Sequence, residues 1–428
     1  MNYLRSSGSF PRAGSLICGF ILFFVAQAAH ADDFAIHDGD TVVFLGDSIT
    51  AEGTYGKVIE NYTLLRYPNR KVHFINAGWG GDTAAGGLAR LQRDVFDQGA
   101  TLVTVAYGIN DIGWGGKADA EHRQKYLDSV RGIVEACKQH KVRVFICSPA
   151  STASDPDKSA DDFLTKMTRE GMEISKTQGE GAIDILGQMR EVQRRIKEAN
   201  AREKDEKKKE TLHASDGIHL NDLGETAMAF AILKGLHASA EVSSATIDTA
   251  PAKLGQPPTV SSTACAISAV TMSSDGVLEF DRLDEGAPLN FGLFGAFKFR
   301  FIPIPDQLNR LMLTVKNLPD GKYTIEAAGR GLGTFDAKRL ADGINISSAT
   351  ADGWQPGGPW EAQAWQVNRL TESRYQLMLT YRQRELTKGL PLEAEIDADR
   401  NKINAQIEEL QRKTVQPAKN HFVIKVVR

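Results

Sequence analysis

The sequence predicts an α/β protein, a parallel sheet covered on both faces by helices, followed by a smaller mixed α+β C-terminal domain. Three observations predict it. Between Thr41 and about Ala240, short apolar runs alternate with longer amphipathic ones, the pattern of βα units. Around Ser243–Ser262 the composition turns to Ser, Thr, Ala and Pro, including Gln256-Pro257-Pro258. The chain of 428 residues also exceeds what one typical core holds, so two domains are expected.

Strands are expected at Thr41–Leu45, Val72–Ile75, Leu102–Ala106, Arg143–Cys147 and Ala182–Leu186. Each is followed by a helical pattern: Tyr55–Arg66, Ala84–Phe96, Ala118–His140, Ala160–Ser175 and Gln188–Lys209, with a last helix from Asp222 to about His237. Reactive groups on such a scaffold gather at the carboxyl ends of the strands. The stretch Arg194–Glu210 carries charges of both signs and reads as a solvated helix with intrahelical ion pairs. Beyond a linker at residues 243–262, Leu311–Val315 and Tyr323–Ala327 alternate like strands. Between them lies Asn317-Leu318-Pro319-Asp320-Gly321, turn chemistry for a hairpin. Glu361–Glu385 and Leu392–Lys413 read as charged amphipathic helices and His421–Val427 as a closing strand. The domain plan is therefore 1–31, 32–242, 243–262 and 263–428.

At the N-terminus, Arg5 and Arg12 precede an apolar stretch from about Leu16 to Ala26, and Ala29-His30-Ala31 follows. This is the layout of a signal peptide with a small-x-small cleavage site, and the apolar part is short for a transmembrane span. Ile17 stands where a lipoprotein signal wants a small residue before Cys18. Cleavage after Ala31 removes two positive charges and takes the net charge from −3 to −5. The expected destination is the periplasm or the extracellular space, with no membrane span after cleavage. Neither value suits a nucleic-acid or anionic-membrane partner. Beyond Cys18 stand only Cys137, Cys147 and Cys265, an odd number without metal-type spacing. Buried free thiols are the expected state, with a Cys137–Cys147 bridge as the alternative.

Four segments carry chemistry. In Val43-Phe44-Leu45-Gly46-Asp47-Ser48-Ile49-Thr50 an apolar strand runs straight into Gly-Asp-Ser, so Ser48 emerges at the strand's carboxyl end. Gly46 allows a tight backbone exit, and a helix starting nearby would aim free N–H groups at the same point. The bland alternative is a turn or helix cap. Asn76-Ala77-Gly78-Trp79-Gly80-Gly81-Asp82-Thr83 follows another strand, and its glycines either let backbone N–H groups approach a ligand or form a plain turn. In Gly108-Ile109-Asn110-Asp111 the Asn110 amide can donate to an oxyanion, while Asp111 suits a cap. In Asp216-Gly217-Ile218-His219-Leu220-Asn221 an Asp three residues before a His can hold one side of the imidazole, leaving the other nitrogen to take a proton. His213 lacks such a partner and reads as a surface histidine. An α/β-hydrolase elbow, Gly-x-Ser-x-Gly, is excluded by Thr50.

In this order and spacing the four segments resemble the sequence blocks of the SGNH/GDSL hydrolase family, over about Thr41–Leu236. Ile49 replaces the Leu of the Gly-Asp-Ser-Leu signature and Leu220 lies where a Pro often follows the His, both apart from the reacting groups. The resemblance implies a flavodoxin-like three-layer α/β/α sandwich, with Ser48 as nucleophile, His219 as general base and then acid, and Asp216 orienting His219. It implies an oxyanion hole of the Ser48 and Gly81 backbone N–H groups and the Asn110 amide, with no metal or organic cofactor. The expected enzyme is a secreted serine esterase working through an acyl-enzyme.

Trp79, Trp114 and Tyr55 fall near these blocks and are candidates for contact with substrate, sugar, aryl or acyl, with packing as the plain alternative. Export and an extra domain resemble exported bacterial GDSL proteins that deacetylate carbohydrates, so a carbohydrate O-acetylesterase is the leading expectation. Arylesterase, lysophospholipase, thioesterase, acyltransferase and non-catalytic glycan-binding roles are the rivals. In the C-terminal part, Trp354, Trp360 and Trp365 suit a seam docking the helices, or a binding surface. The charged helices equally suit an oligomer contact.

Overall fold

The computed structural model describes residues 33–427 except 160, 293–294, 355–356, 381–382, 384 and 387. The expected signal peptide at 1–31 lies outside the described residues. The five apolar runs become β1 (Thr41–Gly46), β2 (His73–Gly78), β3 (Leu102–Ala106), β4 (Arg143–Cys147) and β5 (Gly181–Ile183). They form one parallel sheet of order β2-β1-β3-β4-β5, the doubly wound order of flavodoxin-like proteins. Alternation along β1 fills both faces: Val42 and Phe44 point into one apolar core, Val43 and Leu45 into the other. Strands buried on both sides must be apolar throughout, which is why they stand out in the sequence.

Helices α1 (Ser48–Glu52), α2 (Thr54–Arg66), α3 (Ala84–Ala89), α4 (Ala120–Gln139), α5 (Phe163–Thr177), α6 (Ile185–Asn200) and α7 (Asp222–Gly235) complete this half. Three elements of this half differ from expectation. The helix expected over Ala84–Phe96 stops at Ala89, and a π-turn over Gln92–Phe96 follows. β5 ends at Ile183 because Asp184 caps α6, the Gly187 N–H donating to its carboxylate at 2.9 Å. α6 in turn stops at Asn200, whose amide exchanges hydrogen bonds of 2.8 and 3.0 Å with the Glu210 backbone. The charged stretch is therefore a helix end plus a loop. Its outer charges pair as Lys197–Asp155 and Lys197–Asp157, at 2.8 and 2.6 Å.

The C-terminal part departs further. The stretch expected as a linker contains β6 (Glu241–Asp248) and β7 (Thr259–Thr263). Residues Asp33–Arg428 form one compact unit. After β8 (Cys265–Met272) and β9 (Leu278–Asp284) come β10 (Arg310–Lys316), β11 (Lys322–Ala327), β12 (Arg330–Asp336), β13 (Ile344–Asn345) and β14 (Lys419–Val426). They form sheets β13-β10-β6-β7 and β12-β11-β14-β9-β8. The expected β10–β11 hairpin is therefore absent. The edges of β10 are taken by β6 and β13, and β11 turns back on β12 through Ala328 and Gly329, both at positive φ. Buried residues of these sheets, among them Phe280, Ile325 and Phe422, continue the core that holds Phe44.

Helices α8 (Pro359–Leu377) and α9 (Glu393–Thr414) pack on each other, and α8 packs on α2. Of the three clustered tryptophans only Trp360 forms a seam: it is buried, its indole N–H donates to the Ser347 carbonyl at 2.9 Å, and it stacks on Phe422. Trp354 and Trp365 are exposed. Cys137, Cys147 and Cys265 are free and buried. No helix among the described residues is long and apolar enough to cross a membrane.

Candidate active site

The strand register places the site. Gly46 of β1 pairs with Gly78 of β2 and Ala106 of β3, so three strands end on one line. Ser48, Gly81 and Asn110 follow those ends within a few residues and are delivered to the same edge of the sheet. Gly46 is required by close approach: a Cβ there would lie 2.1 Å from the Thr50 hydroxyl of α1. Asp47 caps α1, accepting from the Ile49 N–H at 3.1 Å, and places Ser48 at the first turn of the helix. Burial pushes the Asp47 carboxyl up to about 6.

His219 arrives from the loop before α7. Asn221 caps that helix, and the Ala214 N–H donates to the His219 carbonyl at 2.8 Å. Asp216 Oδ1 accepts from the Ile218 and His219 N–H groups, each at 2.9 Å, while Oδ2 lies 2.6 Å from His219 Nδ1. The His219 side chain holds the Asp216 carboxyl down at about 2, helped by these two backbone donors. An ionised carboxylate only accepts, so Nδ1 carries the proton and Nε2 keeps its lone pair. Ser48 Oγ sits 2.9 Å from Nε2, within reach for proton transfer.

Gly81 has φ 76°, and a side chain built there would meet nothing within 4 Å, so the loop presents bare backbone on an open face. The Asn110 amide donates to the Asp82 carbonyl at 3.0 Å and reaches the Asp47 carboxylate at 3.4 Å. Asp111 accepts from the Ala84 N–H at 3.0 Å and is driven up to about 7 by burial, so it ties down the start of α3, which Thr83 caps, rather than capping the segment that follows it.

Among the three aromatic candidates the outcomes differ. Trp114 lies beside the centre, 52% exposed, its ring centroid 5.9 Å from that of His219. Trp79 is half-buried with Arg90 and Arg93 at 5.8 and 5.6 Å from its ring. Tyr55 is buried: its N–H donates to Glu225 and its hydroxyl to Thr50, both at 3.0 Å. It is a core residue, because a helix start packed on α7 turns it inward. His213 also belongs inside, buried with Nε2 2.8 Å from the Ser151 carbonyl.

Arg90 lies outside the four segments that carry chemistry. Its buried guanidinium donates to the Gly46 carbonyl at 3.1 Å, the Ala77 carbonyl at 2.7 Å, Asp82 at 2.8 Å and the Tyr107 hydroxyl at 2.7 Å. It ties the ends of β1 and β2 to the loop holding Gly81. The lone signal was an arginine among small and apolar residues in Gly86-Gly87-Leu88-Ala89-Arg90-Leu91.

Residues 44–227 match the model of the GDSL-like lipase/acylhydrolase family. An acetylxylan esterase of Geobacillus stearothermophilus is 33% identical over 92 residues, 18% of this chain and 42% of that protein. The chain thus spans less than half the length of this curated relative. A gut microbial diltiazem-metabolizing enzyme superposes with a TM-score of 0.77 at 21% identity, covering 92% of this chain and 98% of its own. That likeness extends the shared fold through the C-terminal sheets. The structure of Axe2, an acetylxylan esterase from Geobacillus stearothermophilus, gives a TM-score of 0.40 at 20% identity over 47% of this chain and 96% of its own.

Proposed function

Residues 44–227 match the GDSL-like lipase/acylhydrolase family, and from that premise we propose that the chain is an exported serine esterase that removes acetyl groups from carbohydrates. The observation that carries the reading is the aligned relay Ser48–His219–Asp216, with contacts of 2.9 and 2.6 Å. Ser48 Oγ attacks the ester carbonyl as His219 Nε2 takes its proton, and Asp216 stabilises the imidazolium. Charge collects on the carbonyl oxygen, where the N–H groups of Ser48 and Gly81 and the Asn110 amide receive it. His219 returns the proton to the leaving alcohol. Water, deprotonated by the same nitrogen, then attacks the acyl-Ser48 ester and releases the acid.

The carbohydrate reading is supported by the acetylxylan esterase relative and by the openness of the site. The side chains of His219 and Asp216 are 34% and 37% exposed, and an indole face stands beside them. An open rim with an aromatic wall suits a bulky hydrophilic alcohol carrying a small acyl group. Export is supported by the pattern of residues 1–31, and fractionation of cells expressing the full chain tests it.

The activity test compares the protein with its Ser48→Ala variant. It measures acetate release from acetylated polysaccharides and acyl release from p-nitrophenyl esters of increasing chain length. Acetate release that vanishes in Ser48→Ala is the expected result. Equal turnover by both proteins would sink the serine mechanism, and turnover confined to long acyl chains would sink the acetyl reading.

A further inference from the structure

Trp114 has no interior to pack against, yet its position is tightly specified. It occupies the left-handed region, φ 57° and ψ 29°, a conformation that bulky side chains rarely adopt. Its neighbours Gly113 and Gly115 also have positive φ, 51° and 97°. The Trp114 N–H donates to the Ile109 carbonyl at 2.9 Å and the Gly113 N–H to the Asn110 carbonyl at 3.0 Å. The chain is thereby folded back over the residue it has just left. The result is a side-chain hydrogen bond: the indole Nε1–H donates to Asn110 Oδ1 at 2.9 Å.

An indole nitrogen can only donate, so it accepts the oxygen end of the amide and rejects the nitrogen end. On the other side, the Asp82 carbonyl can only accept and takes the nitrogen end at 3.0 Å. A flipped amide would face donor with donor and acceptor with acceptor. We propose that Trp114 is a positioning residue for the ester chemistry, locking the Asn110 amide so that the N–H now spent on the long 3.4 Å contact with Asp47 is the one that turns to the developing oxyanion. This rests on the serine-esterase reading above and assigns Trp114 a role on the enzyme's own amide in addition to its place on the rim.

The test uses p-nitrophenyl acetate, whose leaving group makes no sugar contact. Trp114→Phe keeps a ring and removes the N–H. Loss of one hydrogen bond that orients an oxyanion donor should lower kcat about three- to tenfold with KM unchanged. In an Asn110→Ala background the same substitution should change kcat less than about twofold, since the group it orients is gone. Wild-type kcat in Trp114→Phe, an equal loss in both backgrounds, or a raised KM at constant kcat would each overturn the proposal. Failure of the underlying mechanism reads differently: Ser48→Ala would then keep its turnover, whatever Trp114→Phe does.

Discussion

Glu60 on α2 and Arg374 on α8 stand 314 positions apart in the chain and form a buried ion pair. Around it, Gln411 of α9 donates to Glu60 and to Thr371, both at 2.8 Å, and the third Arg374 nitrogen donates to the Phe74 carbonyl of β2 at 3.1 Å. The C-terminal helices are therefore held to the sheet-bearing half through a polar network excluded from water. Removing one partner strands the other charge, at a cost of about 3–5 kcal/mol. Arg374→Ala should lower the urea midpoint accordingly, whereas the apolar pair Glu60→Leu with Arg374→Met should recover most of the loss. A single variant as stable as the parent would show that the pair contributes nothing to docking.

Tyr55 tests the boundary between site and core. Its hydroxyl donates to Thr50 beneath α1, so Tyr55→Phe removes one buried hydrogen bond, worth about 1 kcal/mol. The thermal midpoint should fall slightly while KM for every ester stays at the parental value. A KM that rises with the size of the alcohol would return Tyr55 to the substrate-binding face.

Why some of this was legible in the sequence and some was not follows from the range of each signal. The five strands of the first sheet are buried on both faces and show as apolar runs, and Gly46 and Asp216 act on residues close in sequence, Thr50 and His219. Pairing among the later strands is another matter. β10 and β11 both alternate with period two, and that alternation reports a buried face while saying nothing of which neighbour a strand chooses. The Ser- and Thr-rich stretch from Ser243 has linker composition, yet Val242, Ala245 and Ile247 are the buried side of β6. Arg90 acts through the ends of β1 and β2, which only the folded backbone brings near.

The cysteines give a chemical check. Burial pushes the Cys137 and Cys147 thiols up to about 12 and raises Cys265 as well, so little thiolate forms at neutral pH. The native protein should resist a thiol reagent such as dithiobis-nitrobenzoate at pH 8. Unfolded without reductant, residues 32–428 should release three equivalents, one for each of Cys137, Cys147 and Cys265. Release of one equivalent would mean that Cys137 and Cys147 are bridged.

Glu225 on α7 sets a pH dependence of stability. It is buried beside Tyr55, its Oε2 accepts the Tyr55 N–H, and its Oε1 has no hydrogen-bond partner. Burial raises its carboxyl from 4.5 to about 8. Below pH 4.5 both folded and unfolded chains hold this proton, and Glu225 has no effect on the pH dependence. Between pH 4.5 and 8 the unfolded chain releases the proton while the folded chain keeps it. The unfolded state then binds fewer protons, and stability falls as pH rises. One pKa unit corresponds to about 1.4 kcal/mol, so the loss across this window is on the order of 5 kcal/mol. Glu225→Gln keeps an acceptor for the Tyr55 N–H without the titration. Its gain in unfolding free energy over the parent should be larger at pH 8 than at pH 5, measured by urea denaturation at both. A difference between the two proteins that does not change with pH would show that Glu225 is ionised in the folded chain.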